Sequence, residues 1–414
     1  MSTTTDPQGG TFRLSMLLND SRYRSLTLQA IAAIVLALAI FQLYSNLAEN
    51  LRIAGLNISY AFLGTPAGYD LNQTLIDYNS QSSNLRAAMV GILNTLLVAV
   101  LGCITATVFG VIAGVLRLSN NWLVSKLMAF YVEIFRNIPV LIWIIIIFTI
   151  MTAVMPGPKL YLGAEPEREL LAGLFAFTNR GIYVPAPFFT SGFGGEEGSG
   201  LNWLLVIGVL VASFFATRFV TANANAKQAE TGVRPNTLYT NIAIWIVPVA
   251  VLLFILGLSW DMPDPLANRF NLRGGLQIGA PLIALWFALS IYTDAFIAEN
   301  VRAGIQAVSK GQTEAASALG LRPGRTMSLV VLPQALRVII PPLISQYLNI
   351  TKNSSLAIVV GYADITATLG GITLNQTGRA IECVLLLMAF YLIISLLIST
   401  GMNVYNNAMK LKER

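Results

Sequence analysis

The 414-residue chain contains no histidine. That absence excludes Ser-His-Asp and Cys-His nucleophilic sites, and with them His-ligated zinc and haem. Cysteine is nearly absent too. Cys103 and Cys383 both lie in apolar stretches, and two such residues build neither a disulfide framework nor a thiolate metal cluster. They read as small core hydrophobes. Charge is the third shortage. Only 11% of residues are charged, against about one quarter in an ordinary soluble domain. Hydrophobic residues make up 55% of the chain, and its mean hydropathy is +0.66. A soluble chain of this length would divide into several domains. Their surfaces would need more charge than 26 basic and 20 acidic residues supply. The net charge of +6 would suit nucleic acid if the basic residues clustered, but they are spread along the chain. Nucleic acid is therefore not an expected partner.

Long apolar runs are what the sequence has instead. The first, about Leu26 to Leu47, is uncharged and long enough to cross about 30 Å of hydrocarbon. No small-residue cleavage pattern follows it, so it reads as a retained anchor. Further runs cover about Ala87 to Leu116, Leu127 to Val154, Leu201 to Thr217, Thr240 to Trp260 and Gly279 to Ala298. A seventh, about Val338 to Ile350 with a continuation to Val360 left open, is broken in pattern by Pro341-Pro342 and Lys352-Asn-Ser-Ser355. The eighth is about Ala380 to Tyr405. An all-α membrane protein of about eight helices is expected. If the runs alternate, about 17 of the 26 basic residues fall on one side. They include Arg13, Arg117, Lys126, Arg218, Arg302, Arg322, Arg325, Lys410, Lys412 and Arg414. Acidic residues such as Glu165, Glu167, Glu169, Glu196 and Glu197 fall on the other. Both termini are thereby expected in the cytoplasm. The segment Ser191-Gly-Phe-Gly-Gly-Glu-Glu-Gly-Ser-Gly200 reads as a flexible loop.

One polar segment on the basic side, 299–337, is longer than the others. Ser309 and Gln312 have capping-box spacing, so a helix is expected from Lys310, with Glu314 in its first turn at the positive dipole end. Ala315, Ala316 and Ala318 favour that helix. Gly320 suits the left-handed position that ends it, with Leu321 folding back on the last turn. Arg322-Pro-Gly324 then turns the chain, and a second helical segment is expected near Arg325, meeting Pro333. On physical grounds alone, such a helix rests on its own chain or on lipid as readily as on a partner.

The spacing Glu314-Ala-Ala, Gly320, Val330, Leu332-Pro333 resembles the EAA loop of ABC importer membrane subunits. The wider pattern is similar to the polar amino-acid branch of that family. It includes Ala298-Glu-Asn-Val-Arg-Ala-Gly-Ile305, Lys352-Asn-Ser-Ser-Leu356, Gly91-Ile-Leu-Asn-Thr-Leu96, Arg117-Leu-Ser119 and Glu133-Ile-Phe-Arg-Asn-Ile-Pro139. The enlarged form, with Asn179-Arg-Gly-Ile-Tyr-Val-Pro185 in an outer loop, resembles the larger subunits of general L-amino-acid or glutamate/glutamine/aspartate/asparagine permeases of Gram-negative bacteria.

The resemblance implies a type I ABC importer transmembrane fold in the bacterial inner membrane. Residues 1–86 would carry the N-terminus, first helix and an outer loop. Residues 87–405 would form the transmembrane domain, with an insertion at about 155–276, and 406–414 the tail. By resemblance, Glu314, Ala315, Ala316, Gly320, Leu332 and Pro333 couple to a cytoplasmic ATPase dimer. The chain itself has no Gly-x-x-x-x-Gly-Lys-Ser/Thr loop. No cofactor is expected on this chain; ATP and Mg would sit on the ATPase. A second homologous permease, a periplasmic amino-acid-binding protein, membrane lipid and an L-amino acid complete the expected partners.

Ionisable and amide groups inside apolar runs are candidates for substrate contact. They are Asn94, Thr95, Asp294, Glu299, Lys352, Asn353 and Ser354. Asp294 and Glu299 are five apart, on different helix faces. Asn94 and Thr95 equally suit interhelical hydrogen bonds. Glu133 and Arg136 suit an i,i+3 ion pair at the bilayer edge. The competing function is an ion-coupled amino-acid carrier acting without an ATPase.

Overall fold

A computed structural model of the chain describes residues 21–53, 55, 57–163, 166–193, 199–266 and 270–409. Arg13, Glu165, Glu196, Glu197, Lys410, Lys412 and Arg414, used above for orientation, lie outside the described residues, as does much of the 191–200 loop. The chain divides into two units, Met1–Phe62 and Leu63–Arg414. In the first, helix α1 (Ser21–Ile53) exposes Leu36, Phe41 and Leu43, and Glu49 pairs with Arg52 at 2.8 Å in its last turns.

The second unit holds the core. Helices α2 (Asn84–Leu116), α3 (Trp122–Asn137) and α4 (Val140–Val154) come first. Helices α5 (Ser199–Thr231) and α6 (Leu238–Ile255) follow, then α7 (Ala280–Gln306). The short α8 (Lys310–Ala318) and α9 (Pro323–Thr326) lead through a π turn, Met327–Val331, into α10 (Leu332–Asn353). A 3-10 segment (Ser354–Val360), a π segment (Thr366–Thr373) and a short α11 (Leu374–Thr377) precede α12 (Ala380–Met409). Among the described residues, 7 helices are long and apolar enough to cross a membrane, or up to 8 when the bent pair α3 and α4 counts as one span.

Three runs differ from the sequence expectation. The third is two helices bent by 102°. Ile138, forced extended by the following proline, and Pro139, which caps α4, make the corner. The seventh is continuous: α10 passes through Pro341 and Pro342 and ends only at Asn353. Neighbouring groups in a membrane bundle tolerate such prolines. The irregularity falls upstream instead, where the π turn accommodates the missing N–H of Pro333. The fifth stops at Ile255, and Leu258–Asp261 turns into a strand.

The bundle is built on α2 against α7. A Cβ added at Gly110 would stand 2.7 Å from Ile297 Cβ and 2.8 Å from the Asp294 carbonyl; one at Gly114 would stand 2.7 Å from the Ala298 carbonyl. Absent side chains therefore let the two backbones approach, as dispersion-driven packing in lipid requires. Leu285, Leu289 and Ile144 fill the core toward one end, and Ile297, Ile339 and Ile350 toward the other.

Small antiparallel sheets are added to this helical fold within 176–279. Strands β1 (Ala176–Thr178), β2 (Gly181–Val184) and β5 (Leu276–Gly279) form one, in that order; β3 (Ala186–Phe189) and β4 (Leu258–Asp261) form the other. The register pairs Gly181 with Gly279 and Ala186 with Asp261. Because β5 runs directly into α7, the first sheet is tied to the central helix.

Candidate functional site

Helix α8 projects from the bundle end where α7 finishes and α9 begins. Ser309 caps it in extended conformation, but no hydroxyl bond closes the expected capping box; Gln312 N–H donates to the Ser309 carbonyl at 3.1 Å. Glu314 is the fifth helical residue, so it lies beyond the first turn where it was expected. The C-terminal end behaves as the sequence indicates. Gly320 adopts φ +75°, Gly320 N–H donates to Ser317 O at 2.9 Å, and Leu321 N–H reaches back to Ala316 O at 3.1 Å. The next helix opens at Pro323, two residues before Arg325, because proline is favoured in a first turn.

The helix is two-sided. Ala316 is 4% exposed, and Thr326 and Val331 are buried in the adjoining turns. Glu314, Ala315 and Gly320 face out, and Leu319 is 83% exposed. Leu332 is exposed and Pro333 half-buried at the start of α10. Arg322 and Arg325 are exposed beside them. A helix locked at its C-terminal end, with small side chains and one large apolar side chain on its outer face, offers a compact docking surface.

Polar groups inside the bundle form separate clusters. Asp294 on α7 is 1% exposed and receives the Tyr131 hydroxyl of α3 at 2.8 Å from each carboxylate oxygen. Tyr131 is held by Phe135, ring centroids 4.8 Å apart. A turn further on, Glu299 accepts from Arg117 and, at 2.5 Å, from Arg302, with Arg136 Nη1 4.0 Å away. Glu133 pairs with Arg117 at 3.6 Å. The expected Glu133–Arg136 pair is not among the described contacts: Arg136 instead lies over the Phe296 ring at 5.3 Å. Glu133 thus reaches α2 while also accepting from Asn137 Nδ2 of its own helix at 3.3 Å, and Arg136 reaches α7.

Asn94 and Thr95 join α2 to the segment after α10. Asn94 Nδ2 donates to the carbonyls of Gln73 (3.0 Å) and Ala363 (2.8 Å); Thr95 Oγ1 accepts from Ile365 N–H at 3.1 Å. At the end of α10, Lys352 is exposed, Asn353 is half-buried and Ser354 is buried, bonded to Thr351 O at 2.7 Å. The seven substrate candidates thus form no single site. Sequence reasoning misses Tyr131, whose bond to Asp294 joins positions 163 apart. No local spacing signals such a partner.

These features define a multi-pass membrane protein with a helical core and one projecting helix. The profile described as "Binding-protein-dependent transport system inner membrane component" matches residues 237–410. The glutamate/glutamine/aspartate/asparagine transport system permease protein BztB of Rhodobacter capsulatus is 51% identical, over 100% of both chains. The general L-amino acid transport system permease protein AapQ of Rhizobium johnstonii is 43% identical, over 98% of this chain and 96% of that one. A solved amino acid ABC transporter is 17% identical with TM-score 0.43, covering 78% of this chain and 94% of that one. The chain belongs to the family of binding-protein-dependent transport system inner membrane components. It is a non-catalytic ABC permease subunit, with ATP hydrolysis on a separate chain, and not an ion-coupled carrier.

Proposed function

We propose that the chain is the permease of an ATP-driven importer of polar L-amino acids, and that α8 is the element on which a cytoplasmic ATPase acts. The observation that carries this reading is the two-sided α8: Ala316 buried, Glu314, Ala315 and Leu319 presented outward, and Gly320 fixing the exit. A short helix locked at its C-terminus transmits displacement as a rigid lever into α10 through Leu332 and Pro333. The amino-acid assignment rests on the names of the full-length relatives.

In this reading both termini and α8 are cytoplasmic, and the sheets of the 155–276 insertion face the periplasm. Residues 87–405 form the transmembrane domain, 1–86 precede it and 406–414 are a tail. A second homologous permease completes a two-fold bundle, two ATPase copies bind ATP and Mg²⁺, and a periplasmic binding protein delivers substrate. This chain's residues then do three things. α8 receives the ATPase, the Gly110 and Gly114 seam keeps α2 and α7 together as they move, and the Glu299 cluster ties α7 to α2 and α3 near the coupling end.

Glu314→Arg tests the coupling role. It is expected to abolish co-purification of the ATPase and ATP-driven uptake, while membrane levels of the chain stay normal. Normal assembly with unchanged uptake would refute it.

A further inference from the structure

The motif Asn179-Arg180-Gly181 has no part in coupling, yet the fold places it in the wall of a cavity of about 460 Å³. That volume falls in the about 300–1,000 Å³ range of small-molecule sites. The cavity lies between the first sheet, the end of α4, the start of α7 and the segment 361–363. Its amide and charged side chains are Asn72, Gln73, Asn179, Arg180, Asn271 and Gln277, with the hydroxyl groups of Thr152 and Tyr362 beside them. Arg180 is the only charged one among the described lining residues.

Both walls are held in place. The Arg180 carbonyl accepts from Ala280 N–H at 3.1 Å and from Gln277 Nε2 at 3.3 Å. Gly181, at φ +132°, lets this turn lie against β5: a Cβ there would stand 2.1 Å from the Ile278 carbonyl. Opposite, Asn94 clamps Gln73 and Ala363 together. Two of the functional groups are uncommitted among the described residues. The Arg180 guanidinium makes no hydrogen bond or ion pair among the described residues. Asn179 Oδ1 is buried with no partner among the described residues. Asn271 Oδ1 accepts from Tyr183 at 2.7 Å, which fixes the plane of that amide. A second cavity of about 410 Å³ shares Asn72, Gly361 and Ala363 with the first and adds Asp70.

A fixed cavity with one guanidinium and several amides suits a small molecule that carries a carboxylate and further hydrogen-bonding groups. We propose that it receives a free amino acid, with Arg180 binding the α-carboxylate in a forked pair, Asn179 and Asn271 bonding the polar side chain, and the ammonium end directed toward Asp70. This deepens the importer reading and rests on it: the permease holds substrate at the outer end of α7, in a site built partly by the insertion, before substrate enters the bundle.

The test uses the whole permease–ATPase complex in nanodiscs without binding protein, probed with radiolabelled L-glutamate and L-glutamine. Saturable binding is expected. Arg180→Gln should weaken it about tenfold or more, as expected for loss of a charge-assisted pair. Arg180→Lys should restore it in part, and Lys159→Gln, outside the cavity, should leave it unchanged. The Arg180 side chain makes no structural bond, so assembly serves as the folding control. Absence of binding by the unmodified complex, or equal binding by Arg180→Gln, would overturn the proposal. So would an Arg180→Gln effect confined to association of the unliganded binding protein, which would make the cavity a docking contact. ATP-driven uptake by the same unmodified complex with binding protein separates the two levels: its presence without direct binding removes this site alone, and its absence removes the importer reading itself.

Discussion

Glu299→Gln removes one negative charge and keeps the side-chain size. In the native fold that carboxylate accepts from Arg117 and Arg302, and Arg136 stands 4.0 Å away. The side chains of Arg117, Glu299 and Arg302 are 15%, 23% and 29% exposed. A unit-charge pair at 4 Å is worth about 4 kcal/mol at an effective dielectric near ~20, before desolvation. Removing one partner of a fully buried pair costs about 3–5 kcal/mol. Partial exposure lowers this, and Glu133 remains to offset one arginine, so a loss of about 2–3 kcal/mol is expected. Denaturation of the purified chain in detergent measures it, with Arg302→Gln and the double variant completing a cycle. The coupling energy should reach about 1 kcal/mol or more, as for residues sharing one network. Glu299→Gln within about 0.5 kcal/mol of the parent, or a strictly additive cycle, would refute the structural role. A changed substrate preference with unchanged stability would return Glu299 to the substrate path.

Gly110→Leu should break the α2–α7 seam, because its Cβ alone collides with Ile297 and the Asp294 carbonyl. A loss of about 3 kcal/mol or failure to accumulate is expected, against no effect for Gly208→Leu, which meets open space; membrane abundance and thermal melts check both. Tyr78, whose hydroxyl donates to the Tyr69 carbonyl at 2.8 Å, has its pKa pushed up to about 12 by burial and by its neighbours Tyr69 and Asp70. The unfolded chain loses this proton near pH 10.0 and the folded one about two units later. Its stabilising contribution is therefore complete below pH 10 and lost as pH rises toward 12. Melting temperatures across that window should fall less steeply in Tyr78→Phe.

Much of the fold was legible because its causes are local. A run such as Ala87 to Leu116 must bury its backbone bonds in a helix wherever it sits in lipid, and it does so as Asn84–Leu116. Gly320 and Leu321 end α8 through bonds spanning five residues or fewer, so the sequence showed where that helix stops. The projecting segment itself was visible as the one long polar stretch on the basic side of the apolar runs. Its N-terminal detail was less legible: Ser309 and Gln312 have the right spacing, but side-chain orientation decides whether the bond forms.

Apolar run length, charge bias and cap residues thus determined by themselves that this chain is a membrane bundle with a projecting helix, since each acts within a few residues or across a single span. Tertiary structure alone decided which side chains meet. It turned the third run by 102°, and it set Glu133 against Arg117 and Arg136 against Glu299. It assigned Asp294 to Tyr131 and Glu299 to three arginines. It also brought Arg180, Gln73 and Asn271, far apart in the chain, around one cavity. These pairings are decided by packing across many residues, where glycine seams and strand register set distances that no sequence period encodes.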